Sequence, residues 1–456
     1  MIKSQQLNLL AVAITSALLY GCGDAETTII EKNPIVEVDD NGSVATDDEF
    51  TIESMGRLAV LSAEANETVI FDLDDSSLLD TFSLIHDSNR LTASADYRFA
   101  VIASRNNDYV GFIDGGMWRE DHVEHPHDYE QAPVMSDLEL SRSRPTHIAK
   151  HDGQTVFFFD GDAETGIAAS VQVLSDTDIS SNTSDIPTVE YNVNMHGVAG
   201  SRGEHLLTSI RRDDAETTSN ATILPDQVGV YHLHDGEYEL EQTLDVTCPD
   251  LHGAAQNSKF VMFGCGDGVV VAHLEAGDEY HVEKITNIDV LANVRVGSIY
   301  AHEESESFIG VASGSDGIIL VSVNPEIGMD VLEWQPDTDV NPISYGFSYE
   351  GEYFLILDDQ GYLNILSPHD HDGFINWELE ERLDISEENL ADMPDSTSFS
   401  MTNAQNGHYV YVSDPIAQHV LQINLETMSI QGDIEIHFIP ASLTWLGIAK
   451  EAHDHD

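Results

Sequence analysis

His147, His196 and His252 each open a short apolar run of the same kind: Thr146-His147-Ile148-Ala149, Met195-His196-Gly197-Val198-Ala199 and Leu251-His252-Gly253-Ala254-Ala255. A turn follows each run, at His151-Asp152-Gly153, Ser201-Arg202-Gly203 and Gln256-Asn257-Ser258, and then a second apolar run. The histidines stand 49 and 56 residues apart. A repeat of roughly 45 residues built from short strands is the signature of propeller blades. The first strand of a blade lines the central axis, so three equivalent histidines at its start converge there. Three imidazole nitrogens form a zinc-type donor set, completed by a carboxylate or by water. Asp160 and Asp414, each at the end of a second strand, are the candidate carboxylates. Neutral imidazole is the ligand form, so binding weakens below about pH 6.5.

A second donor-rich segment is of a different kind. His122, His125 and His127 lie with Asp121, Glu124 and Asp128 in one short polar stretch. Such a loop wraps a metal without preformed geometry and must be ordered on binding, which favours weaker, faster-exchanging contacts. The pair His369/His371 in Pro368-His369-Asp370-His371-Asp372, and His453/His455 in the C-terminal tail, are smaller sets of the same type. His86, His205, His232, His234, His273, His281, His408, His419 and His437 are scattered, and read as surface or strand residues. There is no GxSxG elbow, no HExxH and no phosphate-binding glycine loop.

The elements that must position these residues are strands. After the leader, short Val/Ile/Phe/Tyr-rich runs alternate with Asp/Gly/Asn turns. Blades are expected to start near Leu91, His147, His196, His252, Val296, Ile343 and Ser398. An eighth combines Leu58 to Ser62, Thr68 to Asp72 and Leu79 to Leu84 with an innermost strand from Leu443 to Ala449. The expected fold is therefore all-β: a single β-propeller of eight blades, seven being the alternative count. Pairing of its N- and C-terminal strands closes the ring without an exposed sheet edge. The axial histidines then sit near the face that carries the starts of the first strands. The 118–128 segment, the 368–372 segment, the tail, His151 and His302 belong to the opposite face.

Lys3 and the apolar stretch Leu7 to Tyr20 form an export signal too short to span a bilayer. Leu19-Tyr20-Gly21-Cys22 reads as a lipobox, with Cys22 the lipidated first residue of the mature chain. Gly23 after it favours the outer membrane. The division is 1–21 lipoprotein signal peptide, 22–52 flexible acidic tether, 53–449 propeller and 450–456 His/Asp tail. The address is the periplasm, and the membrane is met through the lipid anchor only. Cys248 and Cys265 flank the Gln256-Asn257 turn and face each other across a hairpin, which in an oxidising compartment points to a disulfide. The formal charge is −64, with 18 basic against 82 acidic residues. That excludes nucleic acid as a partner, because phosphate binding needs basic patches.

Several of these motifs together resemble one family. They are Asp114-Gly115-Gly116-Met117-Trp118-Arg119-Glu120 with the histidine segment after it, Arg144-Pro145-Thr146-His147 with His151-Asp152-Gly153, and Phe158-Phe159-Asp160-Gly161. His196-Gly197-Val198-Ala199, Cys248-Pro249-Asp250-Leu251-His252-Gly253, Phe263-Gly264-Cys265 and Tyr411-Val412-Ser413-Asp414-Pro415 complete the set. From about 56 to 449 the chain resembles the periplasmic zinc metallochaperones of Azt-type zinc ABC import systems (AztD-type proteins). The resemblance implies a propeller that binds Zn2+ and passes it to the importer's solute-binding protein, with no enzymatic step. It implies His122, His125, His127, His147, His196 and His252 as metal residues. Two features depart from the family pattern. Residues 23 to 85 contain no histidine, where family members often carry a histidine-rich segment, and the lipobox anchors the chain. The competing readings are a metal-dependent propeller enzyme, either a hydrolase or a quinoprotein-like oxidoreductase, and an interaction module with incidental histidines.

Overall fold

The computed structural model describes residues 28–32, 52–87, 89–121, 126–212, 224–275, 279–292, 294–315, 317–337 and 339–450. These residues form eight four-stranded antiparallel sheets and one three-stranded sheet. Seven of the four-stranded sheets run in chain order. Their first strands are Arg90–Ala93, Pro145–His151, Ala199–Arg202, His252–Gln256, Val296–Tyr300, Pro342–Phe347 and Ser400–Asn403. The eighth joins the two ends of the chain. Pro440–Leu446 pairs with Arg57–Ser62, with Leu58 opposite Trp445 and Val60 opposite Leu443. Glu67–Asp72 and Leu78–Ser83 continue that sheet outward. The innermost strand of this closure begins and ends three residues earlier than the expected Leu443 to Ala449.

The first strands lie side by side around the centre. Pro440–Leu446 touches both Ser400–Asn403 and Arg90–Ala93, and Ala199–Arg202 touches both Pro145–His151 and His252–Gln256. The architecture is a β-propeller. Its core lies between neighbouring sheets, which explains the uninterrupted apolar runs in the second strands. In Gln154–Phe159, Phe157 and Phe159 pack against Phe99, Val101 and Phe112 of the preceding sheet. Val156 and Phe158 point the other way, toward Ala199 and Leu206 of the following one. Successive side chains of a strand face opposite sides, so a strand covered on both faces must be apolar throughout.

The three-stranded sheet is an insertion. Met117–Asp121 and Pro126–Glu130 form a hairpin between the third and fourth strands of the first full blade, and Ile30–Lys32 pairs along the outer edge of that hairpin. This corrects two expectations. The 122–128 segment is a strand from Pro126 onward. The stretch expected as a tether places Ile30–Lys32 in a sheet, where Lys32 meets Glu130 at 2.8 Å. An added strand satisfies the backbone groups that a two-stranded hairpin leaves open. Buried Arg57 ties the hairpin to the ring closure, donating to the Gly115 carbonyl, to the Gln131 carbonyl at 2.7 Å and to Glu130 at 3.2 Å. No helix among the described residues is long and apolar enough to cross a membrane.

Candidate metal centre

The three axial histidines meet. His147 Nε2 lies 3.4 Å from His196 Nε2, and His196 Nε2 lies 2.9 Å from His252 Nε2. The His147 and His252 ring centres are 5.1 Å apart. His147 and His252 belong to first strands, whereas His196 stands three residues before Ala199–Arg202. Local irregularities aim the rings. The pairing of Pro145–His151 with its neighbour slips between Pro145 and His147, and that of His252–Gln256 slips between His252 and Ala254. Bulges of this kind redirect a side chain out of the pleat. At the second slip Gly253 has a φ of +72°, and a Cβ there would stand 2.7 Å from the Gly297 carbonyl oxygen. A larger residue would push away the very strand that holds His252.

Hydrogen bonds at the outer nitrogens fix the inner ones. His252 Nδ1 donates to the Gly297 carbonyl at 2.6 Å. His196 Nδ1 donates to the Asp160 carboxylate at 2.9 Å. A carbonyl and a carboxylate only accept, so both Nδ1 atoms carry the proton and both Nε2 atoms present a lone pair to the axis. Two lone pairs 2.9 Å apart repel unless a proton or a metal ion lies between them. Enclosure by the protein, reinforced by the neighbouring His196 and His252 rings, lowers the His147 pKa to about 3. Enclosure lowers that of His252 as well. Both rings are therefore held in the neutral form that a metal ion requires.

The spacing fits zinc. Tetrahedral coordination with Zn–N bonds of about 2.0–2.1 Å places ligand nitrogens about 3.4 Å apart. His147 and His196 already stand at that distance, and His252 has to withdraw by about half an ångström. The outcome is three nitrogens and one open position.

The other expected donors lie elsewhere. Asp160 is buried behind His196, bonded to its outer nitrogen and to Arg105 at 2.7 Å, so it orients a ligand from behind. Asp414 is not among the groups that converge on the trio. Its carboxylate accepts from the Ile416 and Ala417 amides at 2.8 and 3.1 Å and closes the turn after its own strand. His127 pairs with Glu31 at 2.8 Å, and Asp128 with Arg119 at 2.6 Å, on the inserted sheet. His369 and His371 face Glu380 and Glu378 at 3.0 and 2.8 Å across one hairpin. His122, His125, His453, His455 and Cys22 lie outside the described residues. Cys248 and Cys265 form a disulfide, and Cys248 precedes His252 by four residues. A second convergence joins His205 and His232, which the sequence reading left scattered, with Glu241.

No family model matches the chain. Over 417 residues it is 21% identical to the zinc chaperone AztD of Citrobacter koseri, covering 88% of this chain and 89% of that one. The chain resembles AztD over most of its length. The fold agrees: the solved structure of apo AztD from Citrobacter koseri superposes with a TM-score of 0.69 at 19% identity, covering 87% of this chain and 99% of that one. The dihydro-heme d1 dehydrogenase NirN, at 10% identity, gives a TM-score of 0.53 over 90% of this chain and 79% of that one. Such distant likenesses establish architecture, and the site has to speak for chemistry.

Proposed function

We propose that this protein is a zinc chaperone, not an enzyme, which carries zinc on His147, His196 and His252 and delivers it to the solute-binding protein of a zinc ABC importer. The observation that carries the reading is the convergence of three imidazole Nε2 atoms, two of them on rings, His196 and His252, whose outer nitrogens are already engaged. The relative named as a zinc chaperone supports it. A nitrogen-only set with an open fourth position suits a cargo ion that must leave by ligand exchange, since an incoming ligand can bind before an existing one departs. Calcium-dependent propeller chemistry would call for carboxylate and carbonyl oxygens at the axis instead.

In this reading His127 of the inserted hairpin, together with His122, His125, His453 and His455, captures or hands on the ion. His369 and His371 belong to the same outer set. The protein works in the periplasm, held by lipid on Cys22 at the outer membrane, and the segment after Cys22 sets its reach. The test is the zinc content of the purified mature protein beside a His147/His196/His252 triple alanine variant, followed by transfer to a zinc-import solute-binding protein. Loss of one tightly held equivalent, with the fold intact by circular dichroism, is the expected result. Equal zinc in both proteins would refute the axial assignment.

A further inference from the structure

The blade that follows His196 carries a second set of donors, at its outer rim. His205 begins its second strand, His205–Ile210; His232 and His234 end its third, Gln227–His234; Glu241 lies in its fourth, Glu237–Thr243. One ligand atom from each of His205, His232 and Glu241 lies within 4.8 Å of the others. The His205 and His232 rings are 4.7 Å apart, and His232 Nδ1 is 3.5 Å from Glu241 Oε1. We infer that His205, His232 and Glu241 form a second zinc site, on the opposite face of the propeller from the axial trio and open to a docking partner.

Three features distinguish this cluster from the ordinary imidazole–carboxylate pairs of so acidic a surface. The first is the second imidazole. At His371–Glu378 one ring faces one carboxylate, and a shared proton satisfies both. At the rim, His205 and His232 gather at one carboxylate, Glu241, which also meets the His234 ring.

The second is burial. His205 is 7% exposed and is held against the Tyr280 hydroxyl at 3.4 Å. A buried ring fixed by the next blade is a preorganised ligand, unlike a solvated surface histidine.

The third is a bulge. His232 pairs with Glu239 and Tyr231 with Leu240, but Val230 pairs with Gln242, which leaves Glu241 as the extra residue of its strand. Alternation from Glu239, the partner of His232, turns Glu241 to the same face, where it also meets His234 Nε2 at 3.0 Å. His234, or Glu204 at 3.5 Å from His232 Nε2, stands ready as a further donor.

Two imidazoles and one carboxylate form a His2Glu set with room for an exchangeable ligand, which selects zinc or a similar late divalent ion over calcium. Chain direction sets the placement. The trio lies where first strands begin, and this cluster lies where the second strand begins and the third ends. Glu241 is 43% exposed, so a partner can reach the ion.

The site stands on its own residues whether or not the trio holds zinc. The test is calorimetric titration with zinc alone of four mature proteins: the parent, Glu241→Gln with His232→Gln, the axial triple alanine variant, and the combination. The rim pair is expected to remove one equivalent, or weaken it at least tenfold, in both backgrounds, with thermal unfolding unchanged. Identical stoichiometry and affinity with and without the rim substitutions, in both backgrounds, would overturn the proposal. If the axial variant keeps the parent's full zinc count while the rim pair lowers it, the axial reading fails and the rim site stands.

Discussion

Asp160 Oδ2 lies 2.9 Å from His196 Nδ1 and 2.7 Å from Arg105 Nη2, so one buried oxygen holds the central imidazole and is itself held by a guanidinium. The arrangement fixes the His196 tautomer and keeps its Nε2 on the axis. Groups behind a metal ligand typically contribute ten- to a hundredfold in affinity. Asp160→Asn is therefore expected to weaken axial zinc binding by about that factor while leaving the stoichiometry unchanged. A lost equivalent in a zinc titration would instead make Asp160 a ligand, as its place in the sequence invites.

Asp414 gives the contrasting case. Its carboxylate is 1% exposed and accepts two turn amides, away from the trio. Removing a buried acceptor leaves its donors unsatisfied, at a cost of about 1–3 kcal/mol. Asp414→Ala should lower the denaturation midpoint and leave zinc affinity at the parent value. A weakened zinc isotherm with unchanged stability would return Asp414 to the site.

The disulfide couples redox state to the axis. Cys248 and Cys265 are 17 residues apart and clamp the segment that leads into His252. Cross-linking a loop of that length stabilises by about 3 kcal/mol in the chain-entropy account. The Leu251 amide also donates to the Pro225 carbonyl at 3.0 Å, so the approach to His252 is held at two points. Cys248→Ser with Cys265→Ser should lower stability by roughly that amount and loosen zinc at the trio more than at the rim. Equal zinc affinities in the oxidised and serine forms would separate the bond from the site.

The axial convergence was legible in the sequence because each of its histidines opens a short apolar run of the same kind, although their strand positions differ, and place in the repeat translates into distance from the axis. The ring closure was legible for a related reason: Leu58 to Ser62 lacks a first strand of its own, and Leu443 onward lacks outer ones. Asp160 was read as a candidate fourth ligand, whereas the structure sets it against the outer nitrogen of His196, since spacing cannot say which side of an imidazole a carboxylate takes. The rim cluster was missed because its donors come from three strands of one sheet, with no short motif. Its signal was His232-Leu233-His234 ending one strand, an Asp235-Gly236 turn, and glutamates at 237, 239 and 241, an alternation that places imidazoles and carboxylates on a common face. The strand Ile30–Lys32 had no readable signal, because its pairing depends on a hairpin inserted about a hundred residues later.

Asp176 provides a pH test that does not involve metal. It opens the short helix Asp176–Ser180, is 6% exposed, and accepts from Ser94 Oγ at 2.8 Å and the Arg98 amide at 3.2 Å. Burial, reinforced by the nearby Asp96, raises its pKa from 3.8 to about 7. Between those values the folded protein keeps a proton that the unfolded chain has released. The group's contribution is therefore complete below about pH 4 and is lost as pH rises toward 7, by on the order of 1.4 kcal/mol per unit. Asp176→Asn fixes the neutral form. The melting temperatures of parent and variant should nearly coincide at pH 4, and the variant should melt higher at pH 8, with the gap opening between the two. Because every other titrating group is common to both proteins, the difference isolates this carboxyl. Parallel melting curves across that range would show that Asp176 is ionised in the folded state, and that Ser94 and the Arg98 amide already balance its charge.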